Sequence, residues 1–270
     1  MTKRSTVAVI GVGAMGEALV SGLLGAGWSP DDLTLCVRRM DRADELAHKT
    51  GCVVGLDPVE TIKGRDVVVV AVKPRDVLDL LKTLAGEVAP DQTVVSLAAG
   101  VTTQSYESQL GAVPVVRAMP NTPALVREGV TGIAPGSHAD PTHLDVAREV
   151  LGAVGTVRVM EESLLDAVTA VSGTGPAYVF LLAEALTEAA MREGLPRDVA
   201  EGFVHQTIRG AGHLLTNTGK SPARLRYEVT SPGGTTAAAM HVLEEKGFRA
   251  VVEDAVRAAA IRARELGGNA

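Results

Sequence analysis

Two kinds of hydrophobic pattern divide the chain. Up to about residue 160, short β-branched runs alternate with stretches in which apolar residues recur at helical spacing, which is typical of βαβ units. This part is expected to form a doubly wound α/β domain, residues 1–160. The predicted strands are 6–10, 33–37, 66–72, 93–98, 113–119, 130–134 and 156–160. The helices predicted between them are 14–26, 41–50, 75–85, 102–110 and 141–152.

From Glu161 onward, alanine and leucine dominate and β-branched runs vanish. The first helix predicted there is apolar on nearly every side, so other structure must cover it all round. A domain of this size seldom covers such a helix by itself, and we expect a second copy of the chain to cover part of its apolar surface. Residues 161–270 are therefore predicted to be an all-α dimerisation domain. Its predicted helices are 163–193, 197–217, 222–228, 235–246 and 248–266.

Composition and charge narrow the classes of partner. The net charge of -6 argues against nucleic acid or an anionic membrane surface, both of which require a concentrated positive field, and favours a small-molecule substrate. Cys36 and Cys52 are the only cysteines, without metal-ligand spacing, so neither a metal site nor a disulfide framework is expected. No apolar stretch of about 20 residues is free of charge or glycine, and no signal-peptide pattern opens the chain, so we expect a cytoplasmic protein without a membrane span.

The stretch "VAVIGVGAMGEALVSGLL" places Gly11, Gly13 and Gly16 in a GxGxxG pattern between a strand and a helix. The first glycine permits a tight turn, the second lets the backbone approach a pyrophosphate, and the third allows close helix packing. The helix that begins at Ala14 and Met15 supplies oriented N–H groups. This first glycine loop predicts dinucleotide binding, the alternative being a merely structural turn.

The end of the second strand bears on which dinucleotide is bound. NAD-binding proteins of this type place an acid there for the ribose hydroxyls, whereas "LTLCV" is followed by Arg38 and Arg39. Two guanidinium groups match a 2′-phosphate, so NADPH is the predicted cofactor and NADH stays possible. The alternative is a solvated basic turn.

Three further turns follow predicted strands, at the edge where open α/β sheets bind ligands. Each could be a plain turn, because proline and asparagine suit turns without any function. Together they are better interpreted as walls of a nicotinamide cleft. The candidate cofactor-binding residues in them are Ala71, Val72, Lys73, Pro74, Ala98, Ala99, Met119, Pro120 and Asn121.

A second glycine loop, "SPGGTT", opens a helix near the end of the chain. Ser231 and Thr235 offer hydroxyls, and the N–H groups from Gly233 to Thr236 are the unpaired donors of a helix start. Since the nucleotide belongs to the first loop, this one is predicted to bind the carboxylate of a small substrate. The alternative is an N-cap with a tight turn.

The segment expected to face the cleft, "SGTGPAYVF", carries no Lys, His, Asp or Glu. Oxidation of an alcohol requires a base for the hydroxyl proton, so this segment argues against a hydroxy-acid dehydrogenase. An imine has no such requirement, since its protonated C=N group already accepts hydride.

The chain resembles pyrroline-5-carboxylate reductases over nearly its full length. The resemblance rests on "IGVGAMGEA", "VAVKP", "AAGVT", "RAMPNTPA", "GPAYVF" and above all "VTSPGGTT…VLEEKGFRA". It implies a Rossmann domain followed by a helical dimerisation domain, in a homodimer or higher homo-oligomer. It also implies hydride transfer from NAD(P)H to 1-pyrroline-5-carboxylate, giving L-proline in the last step of proline biosynthesis.

The resemblance also implies roles for single residues. Ser231, Gly234 and Thr235 would hold the substrate carboxylate, and the catalytic candidate Thr236 would place its hydroxyl near the ring nitrogen. Glu162 would lie close to the substrate. Without the resemblance, it would be interpreted as an ordinary acidic residue in the first turn of a helix. One departure is the run 172–176, "SGTGP", where many members have Ser-Gly-Ser; Gly175 is expected to loosen the helix by up to about 1 kcal/mol.

Two classes of alternative function stay open at this point. One is an enzyme on the same plan, either a reductase of a related cyclic imine or a β-hydroxyacid dehydrogenase, which the missing lysine disfavours. The other is a nucleotide-sensing protein that has kept the fold without the activity. An intact SPGGTT loop disfavours a sensor, because a sensor has no use for a carboxylate site.

Overall fold

The computed structural model describes residues 4–267. Its contacts divide the chain into two compact units: one runs to Thr174 and includes the last residues from Ala259, and the other is Gly175–Ala258. This division differs from the boundary predicted after residue 160. The reason is that Leu165 is fully buried and lies against Gly132, a strand residue of the first unit.

The first unit is built on an eight-stranded sheet. Its strand order is β3-β2-β1-β4-β5-β6-β7-β8. All neighbouring strands pair in parallel except β6 and β7, which are antiparallel. The predicted Rossmann-type sheet is confirmed. The strands are β1 (Val7–Ile10), β2 (Leu33–Cys36), β3 (Val53–Gly55), β4 (Val67–Val70), β5 (Thr93–Ser96), β6 (Val115–Met119), β7 (Gly129–Pro135) and β8 (Gly155–Val159).

Helices follow most of the strands and make up the second unit. In the first unit they are α1 (Ala14–Gly25), α2 (Met40–Thr50), α3 (Pro58–Ile62), α4 (Pro74–Leu84), α5 (Thr103–Leu110), α6 (Pro141–Gly152) and α7 (Leu165–Val168). The second unit contains α8 (Gly175–Arg192), α9 (Arg197–Asn217), α10 (Pro222–Glu228), α11 (Thr235–Glu245) and the start of α12 (Phe248–Leu266).

The central strands are buried on both faces because helices cover the sheet from both sides. Along β1, Val7 and Val9 belong to one apolar cluster with residues of α1 and α6. Ala8 and Ile10 belong to another, with residues of α4 and α5. This two-sided burial explains why the strands read as continuous apolar runs, and it fixes the strand ends that carry the candidate site.

The first helix predicted in the second half is not continuous. A 3₁₀ turn and α7 lead into a π-turn over Thr169–Gly173, and only then does α8 begin. The N–H group of Thr174 donates to the carbonyl of Thr169 at 2.9 Å, five residues back. Gly175 is the first residue of α8, so the expected cost of a glycine inside a helix does not arise. Strand β3 and helix α3 were not predicted at all.

The second unit leaves large apolar side chains uncovered in the single chain. On α8, Phe180 and Leu181 are 63% and 65% exposed, and Phe203 on α9 is 69% exposed. By length and composition alone, one helical run, Glu162–Arg192, is long and apolar enough to cross a membrane. Core helices of soluble proteins satisfy the same criterion, so the run is weak evidence for a membrane span.

The contact between α1 and the segment before β8 gives a test of this packing. A Cβ atom at Gly22 would overlap Val154 Cγ1 and lie 3.0 Å from the carbonyl oxygen of Ala153. Gly22→Ala is expected to destabilise the protein by about 1–2 kcal/mol, because overpacking outweighs the helix preference of alanine. Thermal unfolding followed by the fluorescence of Trp28, the only tryptophan and buried in the same core, should show a lower Tm.

Gly152→Ala is the matched control for this substitution. Gly152 is the last residue of α6, another helix of the first unit, and nothing in residues 4–267 lies within 4 Å of its missing Cβ. Its replacement is expected to leave Tm unchanged or slightly raised. An equal effect of the two substitutions would contradict the packing described.

Candidate active site

The first glycine loop connects β1 to α1 by a turn that other residues cannot form. Gly11 has φ +91°, and a Cβ there would lie 2.7 Å from Val72 Cγ1 and 2.8 Å from its nitrogen. A Cβ at Gly16 would lie 2.5 Å from the carbonyl oxygen of Gly11. The turn is therefore held close both to the end of β4 and to the first turn of its own helix.

Gly13 differs from these two glycines because space lies open in front of it. It is the N-cap of α1. Within residues 4–267, nothing lies within 4 Å of its missing Cβ, and no side chain caps the helix. The first N–H groups of α1, from Ala14, Met15 and Gly16 onward, thus form a helix start suited to a phosphate. The loop fits a dinucleotide pyrophosphate.

A cavity of about 890 Å³ adjoins this loop. It brings together three sequence-predicted groups, from the glycine loop, the end of β2 and the turn after β4. Four other predicted residues do not line it but lie in the first turns of α1 and α4: Ala14, Met15, Gly16 and Pro74. The predicted residues that line it are Gly11, Gly13, Arg38, Arg39, Ala71, Val72 and Lys73. The lining residues not predicted include Arg42, Leu56, Pro58, Arg75, Asp76, Asp79, Leu80 and Thr83.

Cations outnumber acids in the cavity lining, which suits a ligand with several phosphates. Arg38 forms an ion pair with Asp76 at 2.7 Å, and Arg39 pairs with Asp41 at 3.3 Å. Lys73 makes no ion pair within residues 4–267, so its charge is uncompensated there. This part of the sheet edge can therefore receive an anion such as a 2′-phosphate.

Arg42 contributes less charge to the cavity because α1 and α2 neutralise it. Its guanidinium pairs with Glu17 and with Glu45. Glu17 also accepts a hydrogen bond from Lys49, which, with the charge of Arg42, holds the pKa of its carboxyl below the ordinary value. This cluster fixes α2, and with it the end of β2, against the glycine loop.

The turn after β5 contains Ala98 and Ala99 and is supported from within the core. The hydroxyl of Ser96 donates to the phenol oxygen of Tyr106 at 2.7 Å and accepts the N–H of Ala98 at 3.3 Å. Burial raises the pKa of Tyr106, so its phenol stays neutral and serves as a hydrogen-bonding group. The turn is therefore held by the core. Ala98 and Ala99 are not among the residues that line the cavity, and their contact with the cofactor stays a prediction.

Asn121 uses its side chain within the fold. Its amide oxygen accepts the N–H of Val130 at 3.0 Å, and its NH₂ group donates to Ser172 Oγ at 3.2 Å. It thereby joins the start of β7 to the π-turn. Met119, beside Gly173, and the buried Pro120 line the same end of β6. A contact of these three residues with the cofactor stays a prediction.

Glu162 is also held by the fold, at the start of α5. Its carboxylate accepts the N–H and the hydroxyl of Thr103 at 2.9 and 2.7 Å, and Arg117 Nη1 lies 3.2 Å away. Arg117 projects from β6, is only 5% exposed, and reaches Asp166 at 3.4 Å with its other nitrogen. The structure thus gives Glu162 a bracing role that the sequence did not predict, and its contact with substrate stays a prediction.

The second glycine loop lies in the second unit and leads into α11. Gly233 has φ +69°, and the N–H of Gly234 donates to the carbonyl of Ser231 at 3.1 Å. Gly234 is the N-cap, and no side chain caps the helix. Thr235 is exposed, Thr236 is half-buried, and neither hydroxyl is hydrogen-bonded within the described part of the chain. The N–H of Gly234 is thus used within the turn, contrary to the prediction, and the loop leaves the N–H groups of Gly233, Thr235 and Thr236 and the two hydroxyls to an anion. Binding of a carboxylate there stays a prediction.

Comparison with known proteins identifies both halves of the chain. Residues 162–266 match the family model "Pyrroline-5-carboxylate reductase dimerisation". Residues 6–100 match the model "NADP oxidoreductase coenzyme F420-dependent". A pyrroline-5-carboxylate reductase of Mycobacterium tuberculosis is 44% identical to this chain, and the match covers 96% of each chain.

Solved structures agree with these sequence matches. A pyrroline-5-carboxylate reductase from Coxiella burnetii has a TM-score of 0.93 and 39% identity, and the match covers 98% of this chain and 99% of that one. A pyrroline carboxylate reductase from Plasmodium falciparum, solved with NADP bound, has a TM-score of 0.86 and 28% identity, covering 97% and 98%. In both cases the match extends over nearly the whole chain.

A substitution at Gly13 tests cofactor binding without disturbing the fold, because the space in front of this residue is open. Gly13 has φ -85° and ψ -163°, which alanine also adopts, so Gly13→Ala is expected to fold with unchanged Tm. The methyl group of the new alanine would occupy the space predicted for the pyrophosphate, so we expect the Kd for NADPH to rise by about tenfold or more. Fluorescence titration with NADPH measures this change.

Gly16→Ala serves as the comparison variant, since its Cβ meets the backbone of Gly11. It is expected to lower both Tm and NADPH affinity. Normal NADPH binding by Gly13→Ala would show that the first glycine loop does not hold the cofactor.

Proposed function

This chain belongs to the pyrroline-5-carboxylate reductase family and is an NAD(P)H-dependent reductase of 1-pyrroline-5-carboxylate; from that premise we propose that NADPH is its preferred hydride donor. The product is L-proline, so the reaction is the last step of proline biosynthesis. The observation that carries the proposal is the position of Arg38 and Arg39, which follow β2 and line the cavity beside the first glycine loop, where NAD-binding proteins of this type have an acid.

For the cofactor, we propose contacts that follow the cavity of the first unit. The helix start after Gly13 would hold the pyrophosphate, and Arg38 and Arg39 would hold the 2′-phosphate. The turns after β4, β5 and β6 would border the nicotinamide ring. When bound, NAD(P)H supplies the hydride.

For the substrate, we propose that the second glycine loop binds the carboxylate. The N–H groups of Gly233, Thr235 and Thr236 and the hydroxyls of Ser231 and Thr235 would donate to it, while the N–H of Gly234 closes the turn. Anchored there, the ring would present its C=N carbon to the hydride donor, and orientation supplies most of the rate enhancement. The ring nitrogen either binds already protonated or receives its proton from Thr236 or water.

We further propose that the enzyme is a cytoplasmic homodimer or higher homo-oligomer. A dimerisation domain matches residues 162–266, and the large apolar side chains exposed on α8 and α9 require a partner surface. Cys36 and Cys52 are buried free thiols, which suits a reducing compartment.

Enzyme assays with the purified protein test the proposed function. With 1-pyrroline-5-carboxylate, we expect loss of the cofactor absorbance and formation of an equal amount of L-proline, with a higher kcat/KM for NADPH than for NADH. The alternative substrates are a six-membered cyclic imine, assayed with NADPH, and a β-hydroxyacid, assayed with NADP⁺ as the hydride acceptor. Faster turnover of either competitor would contradict the substrate assignment, and absence of any turnover would favour the nucleotide-sensing alternative.

The hydroxyl of Thr236 is expected to act on the reacting ring. Thr236→Ala should lower kcat by about a hundredfold or more while leaving the Kd for NADPH unchanged, since general acid contributions of about 10²–10⁴-fold are typical. Thr236→Ser keeps the hydroxyl and should retain most of the activity. Unchanged turnover in the alanine variant would remove Thr236 from the mechanism.

A further inference from the structure

A carboxylate lies in the basic corner of the cofactor cavity. Asp76 is in the first turn of α4, and its Oδ2 is 2.7 Å from Arg38 Nη2 at the end of β2. Its other oxygen lies 3.8 Å from Arg75 Nε. The Asp76 side chain is 22% exposed and that of Arg38 is 70% exposed, so the carboxylate is the inner member of the pair.

The other charges around this corner are largely compensated. Arg39 pairs with Asp41, and Arg42 pairs with two glutamates. Asp79, one helical turn after Asp76 along α4, pairs with Lys82 at 3.0 Å. Asp76 is therefore the acid of the lining that is in direct contact with the arginine expected to bind a 2′-phosphate.

This position has two opposite consequences for the two nicotinamide cofactors. In NAD-binding sheets of this type, an acid at the end of the second strand accepts the hydrogen bond of the ribose 2′-hydroxyl. Here β2 ends in arginines, and a carboxylate from α4 lies beside them instead. A 2′-phosphate carries a charge of about -1.5 to -2, so the same carboxylate repels it and competes with it for Arg38.

We propose that Asp76 is a specificity-determining residue, which accepts the ribose 2′-hydroxyl of NADH and opposes the 2′-phosphate of NADPH. The pocket thereby stays open to both cofactors, with Arg38 and Arg39 favouring NADPH and Asp76 limiting that preference. This inference rests on the proposed function, because it assumes that the cavity holds the adenosine end of NAD(P)H.

Asp76→Asn tests the proposal because asparagine keeps the size and a hydrogen-bond acceptor for Arg38 while removing the charge. With saturating 1-pyrroline-5-carboxylate, we expect the KM for NADPH to fall about threefold and the KM for NADH to rise about threefold, which shifts the ratio of kcat/KM values about tenfold towards NADPH. Calorimetry without substrate should show tighter binding of 2′,5′-ADP and weaker binding of 5′-AMP.

Two further variants serve as a control and as a replacement for Asp76→Asn. Asp145→Asn removes an exposed carboxylate that pairs with Arg148 on α6, and it should leave both nucleotide affinities unchanged. Asp76→Ser repeats the charge removal with another side chain, in case the asparagine variant folds poorly, as judged by the fluorescence of Trp28.

A different pattern of nucleotide affinities is expected if Asp76 only holds Arg38 in position for the 2′-phosphate. Both variants would then bind 2′,5′-ADP more weakly and 5′-AMP normally, which would overturn the inference, as would unchanged binding of both nucleotides. If the wild-type protein bound neither nucleotide, the proposed function would fail first, and the inference with it. The wild-type titration therefore distinguishes the two failures.

Discussion

Backbone N–H groups left free at helix starts are the feature on which this account depends. Helices α1 and α11 both begin at a glycine N-cap without a side-chain cap. A helix that begins this way presents several donors and the positive end of its dipole to the same point, which suits an anion. One chain thus carries two sets of N–H donors, which we propose bind a pyrophosphate and a carboxylate. The chemistry needs these two positions more than it needs a strong acid or base.

The rest of the first unit holds its helix start and strand ends in place. Gly11 is pressed against the end of β4, and buried polar groups support the later turns. Ser96 and Tyr106 hold the turn after β5, while Arg117 and Glu162 fix the start of α5 next to it. Breaking a partly buried ion pair leaves an uncompensated charge, so the Arg117–Glu162 contact stabilises the fold around these turns.

Local patterns explain how much of this could be predicted. Strands buried on both faces read as apolar runs, and glycine turns at their ends are visible directly, so the Rossmann sheet and both loops followed from the sequence. Strand β3 spans only Val53–Gly55 and is partly exposed, which leaves no alternation to detect. The π-turn at Thr169–Gly173 lies within an unbroken apolar stretch. The pairs Arg38–Asp76 and Arg117–Glu162 join distant segments, which no local pattern brings together.

The most direct test of the two-loop account is a crystal structure of the protein with NADP and L-proline bound together. The account predicts the pyrophosphate at the N–H groups that follow Gly13, and the proline carboxylate at those of Gly233, Thr235 and Thr236. Density for the proline carboxylate at another group, such as the side chain of Lys73, would contradict it. So would a pyrophosphate bound away from the start of α1.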